Sequence, residues 1–331
     1  MNRSEKLQPA RREKNADGQP IRKPSEKRAA DPTCAYRPES PEPSMTHSLS
    51  LACGHNSVSA SPVAPFAPDL LQASVDTREA FASAQEMSAK ARDALGDAVS
   101  GVYLHGSLAM GGFNPRRSDI DLLIVVDRVP DRRALHALTQ ATLHLHDRLP
   151  DGRAIEFTVV EDYALRVFTH PAPFVYHYSS AHRNKYAADP NYLCGGWTDP
   201  DLAAQVAVAY ERGIALYGRP LRENYPPVPE TDYRSSILHD VSTAETDILH
   251  NPVYVVLNLC RVLLFAAEKR ISSKQEGGEW ALEALPQWRD VVGSALDAYR
   301  GTDTGQPTLG ARRRIGFAKE MLERIHRIYE A

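Results

Sequence analysis

The sequence has little of several things, and each shortage removes a class of protein. There are only four cysteines, Cys34, Cys53, Cys194 and Cys260, and no two stand at metal-ligand spacing. That excludes a zinc module and a disulfide scaffold, and it points to reduced thiols in a cytoplasmic protein. There is no excess of positive charge: 39 Lys and Arg face 42 Asp and Glu, a formal net charge of -3. A nucleic-acid polymerase or binder would carry a basic surplus, so no nucleic-acid partner is expected. Long apolar runs are also missing. The longest, Val253 to Ala267, is too short for a membrane span, and the opening MNRSEKLQPARREKN has no apolar stretch of a secretory signal. No repeat recurs at a fixed period.

What is present is an ordinary globular chain behind an unusual leader. Apolar residues make up 42% of the 331 and charged residues 24%, enough to bury a core. Residues 1 to 70 are rich in Pro, Ser, Arg and Glu and lack a sustained hydrophobic period. Such a segment cannot bury enough apolar surface to offset its ordering entropy, so a disordered tail is expected, with Met45 as a candidate second start. Order is expected from a helix near Thr77 to Leu95 with Asp76 as its cap. Strands follow at Gly101 to Leu104 (GVYL), Ile120 to Val126 (IDLLIVV) and Ala154 to Val160 (AIEFTVV), with a helix from Asp131 to Arg148. Strands alternating with helices predict an α/β layer. A helix is expected from Asp199 to Tyr217. The proline-rich PLRENYPPVP from Pro220 then marks a boundary, and four helices follow at 234–247, 252–269, 278–300 and 308–329. The expected organisation is a tail (1–70), an α/β domain (75–222) and a helical domain (230–331).

The chemistry concentrates in one stretch. The first strand runs into the turn His105, Gly106, Ser107, and a short loop leads to Asp119, Ile120, Asp121. Read as strand positions i and i+2, both aspartates point to one sheet face. Glu156 shares the face of Ala154 and Thr158 on the third strand, opposite Ile155, Phe157 and Val159. Three carboxylates on one face repel and lose hydration unless a cation offsets them. Mg²⁺ suits them, because it binds through one or two carboxylates plus substrate phosphates. Ser107, on a glycine turn that lets backbone approach closely, is placed to hydrogen-bond a phosphate oxygen. A lone D-x-D is usually a solvated turn; joined to G-S and a third strand bearing Glu156, the pattern becomes specific.

The segment LHGSLAMGGFNPRRSDIDLLIVV resembles the signature of the DNA polymerase β-like nucleotidyltransferases. More narrowly, with VLNLCRVLLFAAEKRISSKQEGGEWALEALP further on, the chain resembles the aminoglycoside adenylyltransferases that modify streptomycin and spectinomycin. The likeness spans residues 80 to about 305. It implies a mixed-sheet nucleotidyltransferase domain followed by an all-α bundle, with ATP as co-substrate, one or two Mg²⁺ ions and a small-molecule hydroxyl acceptor. No membrane partner is implied, and the chain is expected to act as a monomer. Carried over by the resemblance, Asp119 and Asp121 hold Mg²⁺, Gly106, Ser107 and Ser118 sit at the phosphates, and Arg261, Lys274 and Tyr299 contact the nucleotide. Glu156 is either the general base for the acceptor hydroxyl or a third metal ligand.

The acceptor side departs from the family pattern. Asp247 matches an acidic drug-contacting position, but Asn251 stands where the family has aspartate, Tyr254 where it has histidine, and Ser242 where streptomycin-modifying members have tryptophan. Asp240, Glu245 and Asp247 keep the segment acidic. Elsewhere, His144 and His146 face apart on a helix, so no metal site is expected there. The run Tyr176, His177, Tyr178 reads as a packed aromatic loop sooner than a pocket wall, and Trp197 and Trp280 read as core.

Overall fold

The computed structural model describes residues 73–150, 152–302 and 310–330. The expected tail, with Met45, Cys34 and Cys53, lies outside the described residues.

The chain opens with α1 (Val75–Leu95), whose cap is Ser74 rather than the expected Asp76: the Ser74 hydroxyl accepts from the Thr77 N–H at 3.1 Å. Asp76 instead sits in the first turn and pairs with the buried Arg153 at 3.2 Å. β1 (Val99–His105) leads into the single turn α2 (Gly106–Ala109), and a loop reaches β2 (Ile120–Val126). Asp119 therefore precedes the strand instead of occupying its first position. α3 (Arg132–His146) is capped by the Asp131 carboxylate, and β3 (Ile155–Glu161) follows. Next come α4 (Asp162–Arg166), β4 (Ala172–Phe174), β5 (Tyr176–Tyr178), α5 (Ser180–Ala188), β6 (Trp197–Asp199), α6 (Leu202–Arg212), β7 (Ile214–Tyr217) and α7 (Leu221–Asn224).

These strands form a mixed five-stranded sheet in the order β5-β3-β2-β1-β7, with only β2 and β3 parallel. β4 and β6 make a separate pair. On one sheet face Leu122, Ile124, Phe157 and Val159 are fully or almost fully buried. Phe157 stacks on Tyr176 and Tyr178, each at 5.7 Å, and the Tyr176 hydroxyl meets Thr139 of α3 at 3.0 Å. α6 lies against the other face, where Gln205 reaches Thr158 of β3. The long helix expected to run to Tyr217 stops at Arg212. Its last four residues peel off as β7, because β1 would otherwise expose an unpaired edge.

The second half is helical throughout: α8 (Glu230–Val241), α9 (Ala244–Asp247), α10 (Pro252–Glu268), α11 (Lys274–Ala284), α12 (Arg289–Arg300) and α13 (Ala311–Glu330). It builds its own cluster around Leu257, Cys260, Val292, Phe317 and Met321. Two helices expected to be continuous are broken. Ser242 interrupts the first by turning its hydroxyl back to the His239 carbonyl at 2.7 Å. Pro286 interrupts the second: it pushes Leu285 out of the helical region (φ -129°) and cannot donate to the preceding turn. Trp197 and Trp280, expected in the core, are half-buried; Trp280 donates to Glu268 at 2.6 Å. No helix among the described residues is long and apolar enough to cross a membrane.

Candidate active site

The backbone register sets one wall. In the parallel pairing of β2 and β3, Asp121 stands opposite Glu156, and in the antiparallel pairing of β1 and β2 it stands opposite His105. Register partners project to the same side of a sheet, so His105, Asp121 and Glu156 form a row across three strands. The turn after β1 is shaped to receive Asp121. Gly106 has φ +66°, and a Cβ there would lie 2.0 Å from the Asp121 Oδ2. The G-S and D-x-D motifs are thus one unit, with the carboxylate lying over a backbone that only glycine permits.

Asp119 is held from outside the sheet. In the loop before it, the Ser118 hydroxyl accepts from the Asn114 N–H at 3.0 Å, and Asn114 Oδ1 accepts from the Arg116 N–H at 2.9 Å. The Asn114 amide donates to the Tyr299 carbonyl on α12, and the Tyr299 hydroxyl donates to the Gly112 carbonyl at 3.0 Å. Burial raises the Tyr299 phenol above its usual value, so it stays protonated and keeps that donor. A helix of the second half therefore fixes the loop that carries a carboxylate of the first.

The other wall is built from α8, α9, α10 and α11. Arg261 is half-buried; its Nε donates to the Ser272 carbonyl at 3.0 Å and a terminal nitrogen donates to Asn258 Oδ1 at 3.4 Å. Two helices approach closely here: a Cβ on Gly277 would stand 2.9 Å from Arg261 Cγ and 3.0 Å from its backbone nitrogen. Lys274, the first residue of α11, holds its ammonium 4.4 Å over the Tyr254 ring. The Tyr254 hydroxyl donates to Asp240, and Asp247 accepts from the Thr243 hydroxyl at 2.5 Å. α11 is tied to α6 by Arg212 and Glu276 at 3.0 Å. Burial alone would raise the Glu276 carboxyl. Arg212 and the Ser273 N–H outweigh it and hold the group below the usual carboxylate range.

Between the walls lies a cavity of about 510 Å³. The residues assigned to the nucleotide, the metal and the acceptor reach it: Gly106, Ser107, Ser118, Asp119, Asp121 and Glu156 from the sheet side, and Asp247, Asn251, Tyr254, Arg261, Lys274 and Tyr299 from the helical side. Glu245 does not; it pairs with Lys319 at 3.7 Å. Tyr176 and Tyr178 are packed beneath β3, as an aromatic core and not as a pocket wall. Sequence reasoning missed His105, Arg117, Asp201 and Gln205, and gave Asp240 no individual place; all five line the cavity. Asp201 and Gln205 carried a signal, being four apart at the start of a helix and so on one face.

The donor set fits a hard divalent cation. Asp119 and Asp121 both line the cavity, with the Asp121 carboxylate seated over the Gly106 turn, and hard oxygen donors are what such an ion takes. Among the described residues no set of three His, Cys, Asp or Glu side chains could hold a metal ion by itself. A cation there would draw further oxygens from a bound phosphate, as Mg²⁺ commonly does.

Fold and site together define a nucleotidyltransferase. Residues 86–169 match the family model for the nucleotidyltransferase domain, and residues 225–324 match that for the aminoglycoside adenylyltransferase C-terminal domain. The chain is 30% identical over 211 residues to an aminoglycoside (3'') (9) adenylyltransferase of Klebsiella pneumoniae, covering 61% of this chain and 78% of that one. It is 28% identical over 218 residues to a spectinomycin 9-adenylyltransferase of Staphylococcus aureus, covering 63% and 81%. Its fold matches the crystal structure of a spectinomycin adenyltransferase from Enterococcus faecialis, solved with ATP and spectinomycin. That match has a TM-score of 0.65 at 21% identity and covers 73% of this chain and 99% of the other. The protein belongs to the aminoglycoside adenylyltransferase family and is an adenylyltransferase.

Proposed function

We propose that the protein transfers AMP from ATP to a hydroxyl of an aminoglycoside or aminocyclitol antibiotic, in a magnesium-dependent reaction. The observation that carries this reading is the meeting of two sets of groups in one cavity. Asp119, Asp121 and Glu156 come from the sheet, and Arg261, Lys274 and Tyr299 from the helices. In this reading 75–222 and 230–331 act as two domains that bind ATP between them.

Arg261 and Lys274, with Ser107 and Ser118, bind the triphosphate by charge and hydrogen bonding, and Tyr299 keeps the loop before Asp119 in place. Asp119 and Asp121 would hold a divalent cation, which would supply positive charge to offset the negative charge that develops on the phosphates. Glu156 takes the proton of the acceptor hydroxyl. The freed oxygen forms a bond to the α-phosphorus, the bond to the bridging oxygen breaks, and pyrophosphate leaves. The products are the adenylylated acceptor, pyrophosphate and a proton first held on Glu156. Asp201, Asp240 and Asp247 give the acceptor end an acidic lining, which suits a polycation.

The test is pyrophosphate release from Mg-ATP with streptomycin, spectinomycin and uncharged polyols as acceptors. Turnover with an antibiotic supports the reading. Turnover confined to polyols would replace its acceptor class with another hydroxylated metabolite, an outcome to which the departures at Ser242 and Asn251 give a specific reason. ATP binding without turnover on any acceptor would point to a nucleotide-binding regulator.

A further inference from the structure

Asp240 is braced from a second helix, α10, whereas Asp247 takes its hydroxyl donors from its own turn, Thr243 and Thr246. Asp240 stands in the last turn of α8, half-buried, and both its carboxylate oxygens are engaged. The Tyr254 hydroxyl donates to Oδ1 at 3.0 Å and reaches Oδ2 at 3.2 Å, and the Asn258 amide donates to Oδ2 at 2.6 Å. Both donors are neutral, so they fix the carboxylate without cancelling its charge. Each donor is itself held. Asn258 is buried, 3% exposed, and its carbonyl accepts from Arg261; the Tyr254 ring lies under the Lys274 ammonium. Opposite, α6 is tied to α8 by the Ala204 N–H and the Ser236 hydroxyl at 3.1 Å, which keeps Asp201 and Gln205 facing the same space.

An anion oriented by neutral partners in a cavity wall is prepared for a cationic ligand. Its rotamer is already fixed, so a ligand loses less entropy in meeting it. The cations of the helical wall, Arg261 and Lys274, stand one residue further along each relay, beyond Asn258 and Tyr254, and make no ion pair with Asp240. Tyr254, on α10, is the residue that braces Asp240 from across the helix pair.

We propose that Asp240 is a specificity-determining residue that receives a protonated amine or guanidine of the acceptor. This rests on the acceptor class proposed above. A purely structural role would make Asp240 a brace for Asn258 and hence Arg261, and its loss would then weaken ATP binding instead.

The experiment compares the wild-type protein with Asp240→Asn and Asp240→Glu in steady-state AMP transfer from Mg-ATP to streptomycin and to spectinomycin. KM is measured for each substrate at low and high salt. Asp240→Asn keeps the shape and one acceptor oxygen but removes the charge. The expected result is a rise of roughly tenfold or more in acceptor KM. The KM for ATP and kcat should stay within about twofold, the salt dependence of acceptor KM should flatten, and Asp240→Glu should recover part of the loss. An unchanged acceptor KM, or a KM for ATP that rises in step with it, would overturn the inference while leaving the proposed function standing. If the wild-type protein adenylylates neither antibiotic, the acceptor class falls and this inference falls with it.

Discussion

The two walls of the cavity are specified in different ways. On the sheet side, three groups are placed by backbone pairing alone: His105, Asp121 and Glu156 are consecutive rungs of one row. On the helical side, no backbone ladder joins Asp240, Tyr254, Asn258, Arg261 and Lys274; side-chain contacts hold them together across three helices. A ladder tolerates little change, because each rung depends on its neighbours, whereas a network can replace a member and brace it from elsewhere. In the proposed function the chemistry rests on the ladder and the recognition of the acceptor on the network.

The comparison breaks most visibly at the ladder. Asp121→Asn should lower AMP transfer by about 10³-fold or more, the scale of lost electrostatic stabilisation, with the melting temperature kept. Near-normal pyrophosphate release by that variant would remove Asp121 from the reaction. Glu156→Gln keeps the shape and should lower kcat by roughly 10²- to 10⁴-fold while ATP binds as before. A magnesium titration separates the roles: a rate restored by excess metal would assign Glu156 to the cation and not to the proton.

A third prediction concerns what underlies the ladder. His182 of α5 is buried with its Nδ1 2.6 Å from the Tyr192 hydroxyl, and burial lowers its pKa to about 4, assisted by His177. Unfolded, it would titrate near 6.5. The unfolded chain therefore binds the extra proton first as pH falls. The stability from neutral burial is full above about pH 6.5 and is lost progressively toward pH 4, by a few kcal/mol. Urea unfolding at pH 7 and pH 4.5 should show that loss, and His182→Gln should flatten it; equal profiles for the two proteins would contradict it.

The smallest effect belongs to the network. Gly277→Ala places a methyl 2.9 Å from Arg261 Cγ and 3.0 Å from its backbone nitrogen, so α10 and α11 must separate slightly. A loss of roughly 1–3 kcal/mol in stability is expected, with a higher KM for ATP and a nearly unchanged kcat. A kcat that fell instead would show that the helical wall reaches the reacting atoms.

The ladder was legible in the sequence because its signal is local. The β-branched run IDLLIVV and the strand AIEFTVV mark the two strands, the period of two says which residues share a face with each carboxylate, and Gly106 announces the turn. The network was less legible. Arg261 stood out by interrupting an apolar run, but nothing in LHDVS says that Asp240 will meet Tyr254 and Asn258 from another helix. Breaks inside helices were missed where a side chain or proline competed locally, at Ser242 and Pro286. β7 was missed because IALY becomes a strand only through the edge that β1 offers it.

The parallel pairing of β2 with β3 has one more consequence. Asp121 and Glu156 face the cavity because Leu122, Ile124, Phe157 and Val159 face the core, and a slip by one residue would invert both sets together. A slipped β2 or β3 would turn its carboxylate into the apolar layer on the far side of the sheet, a state far too unfavourable to be populated. The hydrophobic residues of these strands thus act as a proofreader for the reaction centre. A chain that has found its core has already aimed its acids, and exchanges among apolar residues of similar volume can accumulate there without touching the chemistry.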